Sequence, residues 1–297
     1  MRNVMEKIKK TAKGLEKGMN LLFLLCGLLT ILFVILITIF LVISGIPAIR
    51  TIGLSDFLLG KKWASTAASP SYGILPFILS SVYGTCGAIL AGVPVGLFCA
   101  IFLAKMSPEK VRSIVGNVVD LLAGIPSVVY GLAGMIIIVP YVRKIFHLPD
   151  GANLFSAILV LAVMILPSVI SVSETAIEAV PKEYEEASLA LGATKTETVF
   201  KVVVPAAKSG IVTAVVLGIG RAVGEAMAVM MVAGNVANMP KLFGSVRFLT
   251  TAVASEMSYS SGLQRQALFS IALVLFLFIM AVNLILNVII KKGEPND

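Results

Sequence analysis

An arginine and a glutamate interrupt an apolar stretch of the sequence, Gly220-Arg221-Ala222-Val223-Gly224-Glu225-Ala226-Met227. An arginine in the middle of a membrane helix costs about 2.5 to 3.5 kcal/mol on insertion scales, so it needs a partner or a wet cavity. In a continuous helix Arg221 and Glu225 would lie one turn apart on the same face, close enough to pair. The pattern leaves two interpretations open: a charge-neutralising contact between helices, or an anion site.

The anion site is the functional interpretation. A guanidinium offers a fixed fork of donors to an oxyanion, and Gly220 and Gly224 would let another backbone or a substrate approach. Glu225 would either steady that fork or accept a proton from the substrate. The second role would discriminate between anions, because a partly protonated phosphate can donate to a carboxylate, whereas sulfate is fully ionised near neutrality.

Membrane helices are the elements that must position these residues. The 297 residues are 58% hydrophobic and only 13% charged, which is outside the range of soluble globular domains. Crossing about 30 Å of hydrocarbon takes roughly 20 helical residues. The sequence therefore predicts an all-α polytopic membrane protein with six transmembrane helices. The apolar runs are approximately Leu21 to Ile46, Ile74 to Ala104, Ile114 to Pro140, Leu154 to Val180, Ile211 to Gly234 and Ala267 to Ile290.

The lysines and arginines predict the orientation, because they favour the cytoplasmic ends of spans. Most of them lie in the N-terminal tail and in the alternate segments that would share its side. We therefore expect a basic cytoplasmic tail (residues 1–20), one six-span permease domain (21–290) and a cytoplasmic C-terminal tail (291–297). The first run exceeds the apolar core of a signal peptide and lacks a clear cleavage site, so we interpret it as a retained span rather than a cleaved leader.

Other motifs that carry chemistry are missing from the sequence. Cys26, Cys86 and Cys99 lie in apolar runs at spacings that form no metal or redox motif, and His147 is the only histidine. Neither a nucleophile elbow nor a phosphate-binding G-x-x-x-x-G-K-[ST] loop occurs. We therefore expect no catalytic site, no metal site and no ATP binding by this chain itself.

The loop of residues 182–209 is the longest polar segment on the predicted cytoplasmic side. Its signals predict two short helices. The first, Lys182 to Leu191, has glutamates near its start, where the helix dipole favours them, and Gly192 follows as a stop. Thr194 and Glu197 then form a capping box that begins the second helix. Periodicity alone leaves open whether this hairpin merely lies on the membrane surface.

Within this loop a spaced pattern runs through Glu186-Ala187-Ser188, Gly192, Val202, Val204 and Pro205, where the predicted second helix ends. The pattern resembles the EAA loop of ABC importer permeases, E-A-A-x3-G-x9-I-x-L-P, with three conservative departures. The resemblance implies that the helix before Gly192 docks in a groove of a separate ATPase subunit, where the small residues allow close approach. ATP-driven closure of the ATPases would then reach the spans through Glu186 to Gly192.

Further stretches, Gly218 to Asn235, Leu121 to Gly131 and Ala267 to Ser270, closely resemble phosphate ABC importer permeases of the PstC type. The resemblance runs from about Gly73 to Asn287. It departs at Ala226, where that subunit type usually has threonine. The run Met-Ala-Val followed by Val-Ala-Gly-Asn favours the PstC type over its PstA sister.

The resemblance implies a MetI-like ABC permease fold and a set of partners. These are a second permease subunit (PstA-like), two ATPase subunits (PstB-like), an extracytoplasmic phosphate-binding protein (PstS-like) and membrane lipid. ATP and magnesium would bind the partner ATPase, and no cofactor is expected in this chain. By the same resemblance Arg221, Glu225, Gly220 and Gly224 lie on the phosphate path.

The function predicted from the sequence is thus a permease subunit of an ATP-driven importer for inorganic phosphate in the cytoplasmic membrane. An importer for another tetrahedral oxyanion is the nearest alternative. A secondary transporter or anion channel would share the spans and the buried arginine, but it has no use for the EAA loop. A membrane scaffold without transport activity would not need Arg221.

Overall fold

The protein is mostly helical. The computed structural model describes the backbone of residues 2–293 and the side chains of residues 16–285 and Val288. The predicted tails lie partly outside the described residues. The elements up to the polar loop are α1 (Arg2–Ile52), α2 (Leu54–Leu59), β1 (Trp63–Ala64), β2 (Ser71–Tyr72), α3 (Leu75–Ile101), α4 (Glu109–Gly124), α5 (Ser127–Ala133), α6 (Val139–Ile145) and α7 (Leu154–Glu178).

The remaining elements begin with the polar loop. They are α8 (Lys182–Ala190), α9 (Lys195–Thr198), α10 (Val204–Ala206), α11 (Lys208–Gly224), α12 (Met227–Val232), α13 (Leu249–Glu256) and α14 (Gly262–Gly293). Three π-helical turns, Phe102–Met106, Gly134–Ile138 and Val199–Val203, extend or join neighbouring helices, and a 3₁₀ turn, Met257–Tyr259, follows α13.

Among the described residues, five helices are long and apolar enough to cross a membrane, and the number is six if a bent pair of helices is one span. The bent pair joins Lys195–Ala206 to Lys208–Gly224 at 70°. The five are Glu16–Ile52, Leu75–Met106, Ser127–Ile145, Leu154–Glu178 and Gly262–Ile285. The all-α, multi-pass class is confirmed. A short antiparallel hairpin departs from this class, and in it β1 and β2 pair Trp63 with Tyr72.

The predicted third span, Ile114 to Pro140, is not one helix. The chain leaves helical geometry at Ile125 and Pro126, so α4 ends and α5 begins there. Pro126 accounts for this break, since proline cannot donate the next backbone hydrogen bond. Tyr130 stabilises it, because its hydroxyl donates to the Leu122 carbonyl at 2.8 Å.

The predicted fifth span, Ile211 to Gly234, is also interrupted, and here the prediction of a continuous helix was wrong. The helix α11 ends at Gly224, and Glu225 is extended (φ −72°, ψ 126°). Contacts made elsewhere in the chain explain the break. Thr250 donates to the Glu225 carbonyl at 2.8 Å, and α12 packs so closely on α5 that a Cβ at Gly131 would lie 2.7 Å from Ala228 Cα.

The helices α3 and α7 pack against each other along their length, and α11 packs on α7. Glycines allow this approach. A Cβ at Gly92 would lie 2.9 Å from the Ala162 carbonyl oxygen, and one at Gly218 would lie 3.2 Å from Val169 Cγ2. Close packing of small residues is a main source of helix association in lipid. The centre of α7 is therefore held between α3 and α11.

A polar cluster, which we call the Glu256 cluster, joins the β1–β2 hairpin to α13 and α14. The Glu256 carboxylate forms an ion pair with Arg247 and accepts hydrogen bonds from Trp63 Nε1 at 3.2 Å and Gln264 Nε2 at 3.1 Å. Ser65 contributes a further bond to the same carboxylate at 3.5 Å. Trp63 and Glu256 are 193 residues apart, so this carboxylate ties the β1–β2 hairpin to a segment that is distant in sequence.

Replacing Glu256 with alanine is expected to lower the thermal stability of the chain. The substitution leaves the Arg247 guanidinium, 17% exposed, without its carboxylate, and a lost bond to a charged group typically costs about 1.5–3 kcal/mol. Trp63 is the only tryptophan, so tryptophan fluorescence of the purified chain during heating reports unfolding around this cluster. Glu183→Ala on the exposed face of α8 is the control. An unchanged midpoint for Glu256→Ala would contradict a stabilising role for the cluster.

Candidate functional site

Arg221 lies in the last turn of α11, and its side chain is half-buried. Its Nη1 donates to Ser168 Oγ on α7 at 3.4 Å. A cation in the last turn of a helix is favoured, because the unpaired carbonyls there carry partial negative charge. Arg221 is also close enough to Tyr130 of α5 for a Coulombic interaction. The guanidinium therefore links the end of α11 to α7.

Glu225 does not pair with Arg221, so the same-face ion pair that the spacing allowed is not formed. The physical reason is the end of α11 at Gly224, which removes the helical spacing between the two side chains. Glu225 instead accepts a hydrogen bond from the backbone N–H of Ala228 on Oε1 at 2.8 Å. This bond satisfies an amide in the first turn of α12. Glu225 is therefore a helix cap at the break.

Among the residues whose side chains the structure describes, no carboxylate forms an ion pair with Arg221. This excludes, for those residues, the interpretation of Arg221 as half of a charge-neutralising pair. A hydroxyl bond at 3.4 Å occupies only one of five guanidinium donors. The remaining donors have the geometry and charge to bind an oxyanion.

Gly220 and Gly224 are exposed, and an added Cβ at either position would meet no atom within 4 Å. Within this chain nothing approaches these glycines closely. The open space beside Arg221 is compatible with the predicted approach of a substrate or a second subunit. The assignment of Arg221, Glu225, Gly220 and Gly224 to a substrate path stays a prediction.

The polar loop forms the predicted helical hairpin, which we call the coupling hairpin (residues 182–209). Its first helix, α8, carries Glu186, Ala187 and Ser188 and ends at Ala190. Gly192 follows with φ +88°, a left-handed conformation that suits glycine. The Ser188 hydroxyl bonds to Thr198 Oγ1 at 2.9 Å, which holds the two helices of the hairpin together.

The second helix of the hairpin starts at the predicted capping box. Glu197 N–H donates to Thr194 Oγ1 at 3.3 Å, and Thr194 N–H donates to the Glu197 carboxylate at 3.1 Å. The bonds from Thr194 and the charge of Lys201 lower the pKa of Glu197 to about 2. The carboxylate that closes the box is therefore ionised near neutral pH.

The sequence predicted that the second helix ends before Pro205, and this prediction was wrong. It passes through the π turn Val199–Val203 into α10, where Pro205 occupies the first turn. The Val204 N–H bonds back to the Val199 carbonyl, which closes the π turn. Proline is tolerated in the first turn of a helix, because its missing N–H has no partner there in any case.

The helix α8 has no buried residue, and several of its apolar side chains are exposed. Tyr184 is 53% exposed, and Leu191, which follows the helix, is 90% exposed. Exposed apolar side chains grouped on one short helix are typical of a protein-interaction surface. A cavity of about 400 Å³ at the base of the hairpin is lined by Tyr184, Pro181 and Ala206, among others.

Ion pairs near the coupling hairpin were not found from the sequence. Lys105, in the π turn after α3, pairs with Glu185 of α8. Arg112 of α4 pairs with Glu178 and, at 3.2 Å, with Glu174 of α7. The partners lie 80, 66 and 62 residues apart, so no local spacing indicates them. The Ser168 contact of Arg221 was missed for the same reason.

Known proteins similar to this chain are membrane components of transport systems. A Bacillus subtilis (strain 168) protein named "Probable ABC transporter permease protein YqgH" is 39% identical over 267 residues, covering 87% of this chain and 86% of that protein. The "Phosphate transport system permease protein PstC" of Pasteurella multocida (strain Pm70) is 35% identical over 277 residues, covering 86% of each chain. The protein of the same name from Haemophilus influenzae is 33% identical over 290 residues and covers 91% of each.

Solved structures share the fold at lower identity. The "Inward facing conformations of the MetNI methionine ABC transporter" match with a TM-score of 0.60 and 21% identity, over 74% of this chain and 96% of the other. A "bacterial alginate ABC transporter" matches with a TM-score of 0.59 and 15% identity, over 91% and 93%. The family model described as "Binding-protein-dependent transport system inner membrane component" matches residues 92–295. The chain therefore belongs to the family of inner membrane components of binding-protein-dependent transport systems.

Proposed function

We propose that this chain is the phosphate-translocating permease subunit of an ATP-driven ABC importer of the PstC type. One observation carries the proposal: a half-buried arginine at the end of a broken membrane helix has no carboxylate partner among the described side chains. Retaining such a charge is costly unless an anion or water compensates it. Relatives with the name PstC in several organisms support phosphate as that anion.

The proposal includes an arrangement in the membrane. Both tails face the cytoplasm, residues 21–290 form the six-span domain, and the coupling hairpin projects on the cytoplasmic side. The partners are a second permease subunit like PstA, two ATPase subunits like PstB, which bind ATP and magnesium, and an extracytoplasmic phosphate-binding protein like PstS. The exposed face of α8 supports docking of an ATPase, because it presents Tyr184 and Leu191 outward.

In the proposed mechanism phosphate leaves the binding protein, passes Arg221 and is released when the permease dimer opens inward. The breaks at Pro126 and Gly224 support a pathway here, since broken membrane helices are tolerated where they line cavities. Gly220 and Gly224 leave the space in which the anion would pass. Glu225 uses Oε1 as a cap, so a proton from the substrate would have to reach its other oxygen.

An importer for another tetrahedral oxyanion is the second candidate. The YqgH relative supports only the general function, because its name gives no substrate. A guanidinium binds phosphate, arsenate, sulfate and phosphonate oxygens through the same fork of donors. Selectivity among them would depend on a group that senses the protonated oxygen of phosphate.

The complete complex, reconstituted in liposomes, tests the substrate. We expect ATP-dependent uptake of radiolabelled phosphate that a large excess of sulfate does not reduce. Uptake inhibited by sulfate would contradict a proton-accepting role of Glu225 and favour a less selective oxyanion importer. Binding-protein-stimulated ATP hydrolysis without any phosphate uptake would overturn phosphate as the substrate.

A further inference from the structure

The coupling hairpin makes little contact with the membrane helices through α8. No residue of α8 is buried, and the helix packs mainly on α9 and the π turn of its own hairpin. The Ser188 bond to Thr198 also stays within the hairpin. Among the described side chains, the Lys105–Glu185 ion pair is the one polar bond from α8 to a residue outside the coupling hairpin.

Lys105 is held on a rigid support. It lies in the π turn Phe102–Met106, which continues α3, and Ser107 N–H closes this turn on the Phe102 carbonyl at 2.8 Å. Ser107 Oγ donates to the Leu103 carbonyl at 3.0 Å, and the Leu103 side chain is only 1% exposed. A displacement of the Lys105 side chain would therefore pull on the end of α3, with which its π turn is continuous.

The environment of the pair favours a strong interaction. The Lys105 and Glu185 side chains are 15% and 27% exposed, so water screens them less than an open surface pair. The ion pair between Lys201 and Glu197 within the hairpin is more open to water, since its side chains are 73% and 47% exposed. Exposed pairs of that kind contribute little.

From these contacts we infer that Lys105 and Glu185 are positioning residues that transmit the movement of α8 to α3. The inference rests on the proposed function, since it requires an ATPase that moves α8. Its consequence for the substrate follows from packing. The helix α3 packs along α7, and α7 carries Ser168, which contacts Arg221. A displacement of Glu185 thus reaches the Arg221 side chain through continuous contacts.

A charge exchange in the full complex tests the inference. Lys105→Glu and Glu185→Lys should each lower ATP-driven phosphate uptake by at least about tenfold, because like charges then face each other in a partly buried position. The double variant Lys105→Glu with Glu185→Lys should restore most of the uptake. Failure of the double variant to recover uptake above either single variant would overturn the proposal.

A second readout separates coupling from mere stability. The single variants should hydrolyse more ATP per phosphate transported, whereas Lys105→Arg, which keeps the charge, should retain the wild-type ratio. Lys110→Glu is the matched control, because Lys110 is exposed, near in sequence and without an ion pair among the described residues. A wild-type ratio in both single variants would also overturn the proposal.

The proposed function can fail separately from this inference. If the wild-type complex takes up no phosphate, the substrate assignment is wrong. The same charge-exchange variants are then compared by a different quantity. It is the increase in ATP hydrolysis that the system's own binding protein causes. Loss of stimulation in the single variants, with recovery in the double variant, would still support transmission through Lys105 and Glu185, and no recovery would overturn it.

Discussion

Replacing Arg221 with glutamine is expected to abolish phosphate uptake while the transporter complex stays assembled. Glutamine keeps a donor that can reach Ser168, so the packing of α11 on α7 should survive. It removes the charge and the fork of donors, and loss of one partner from a buried charged contact costs about 2–5 kcal/mol. Uptake should therefore fall at least about thirtyfold, since 1.4 kcal/mol corresponds to a factor of ten.

Uptake of radiolabelled phosphate into proteoliposomes measures this effect, and co-purification of the ATPase reports assembly. Arg221→Lys separates charge from geometry. Lysine keeps the charge but offers a point donor in place of the planar fork, so we expect intermediate uptake. Arg265→Gln, at an exposed position in α14, is the control for loss of one positive charge. Full uptake by Arg221→Gln would make the arginine purely structural.

The coupling hairpin was predicted well because its signals are local. The capping box of Thr194 and Glu197 and the left-handed Gly192 each depend on neighbours within a few residues. The break at Pro126 also has a local cause, since proline disrupts a helix wherever it occurs in the interior. The end of the second helix was missed, because a π turn placed Pro205 in a new first turn.

The Arg221 region shows the opposite case. Nothing in Gly224-Glu225-Ala226 forbids a continuous helix, and apolar periodicity favours one. The break depends on Thr250, which bonds to the Glu225 carbonyl, and on the close packing of Gly131 against Ala228. These partners are 25 and about 100 residues away in sequence. The sequence spacing therefore allowed a pairing of Glu225 with Arg221 that the structure does not form, and the substrate-path assignment of both residues stays a prediction.

This correction changes the interpretation of the site. A glutamate paired with Arg221 would have cancelled its charge and left an incoming anion less favoured. With Glu225 bonded to the Ala228 amide, the positive charge at the end of α11 is retained. The broken helix thus keeps the arginine unpaired with carboxylates among the described side chains, which is the condition an anion site needs.

Replacing Gly192 with valine is expected to weaken the association of the ATPase subunits and to lower phosphate uptake. The position has φ +88°, which a β-branched residue adopts only with strain of about 1–3 kcal/mol. Since an added Cβ would meet no atom within 4 Å, the effect would come from the backbone alone. We expect α8 to shift relative to α9, phosphate uptake to fall about tenfold or more, and the amount of co-purified ATPase to decrease.

Gly192→Asn is the matched variant for this test, because asparagine tolerates the left-handed conformation far better than valine does. It should retain most of the uptake and bind the ATPase as the wild type does. Equal losses in the two variants would show that side-chain bulk at a docking surface, not backbone conformation, is responsible. Intact uptake in Gly192→Val would contradict a coupling role for the hairpin, because the left-handed turn at Gly192 joins α8 to α9.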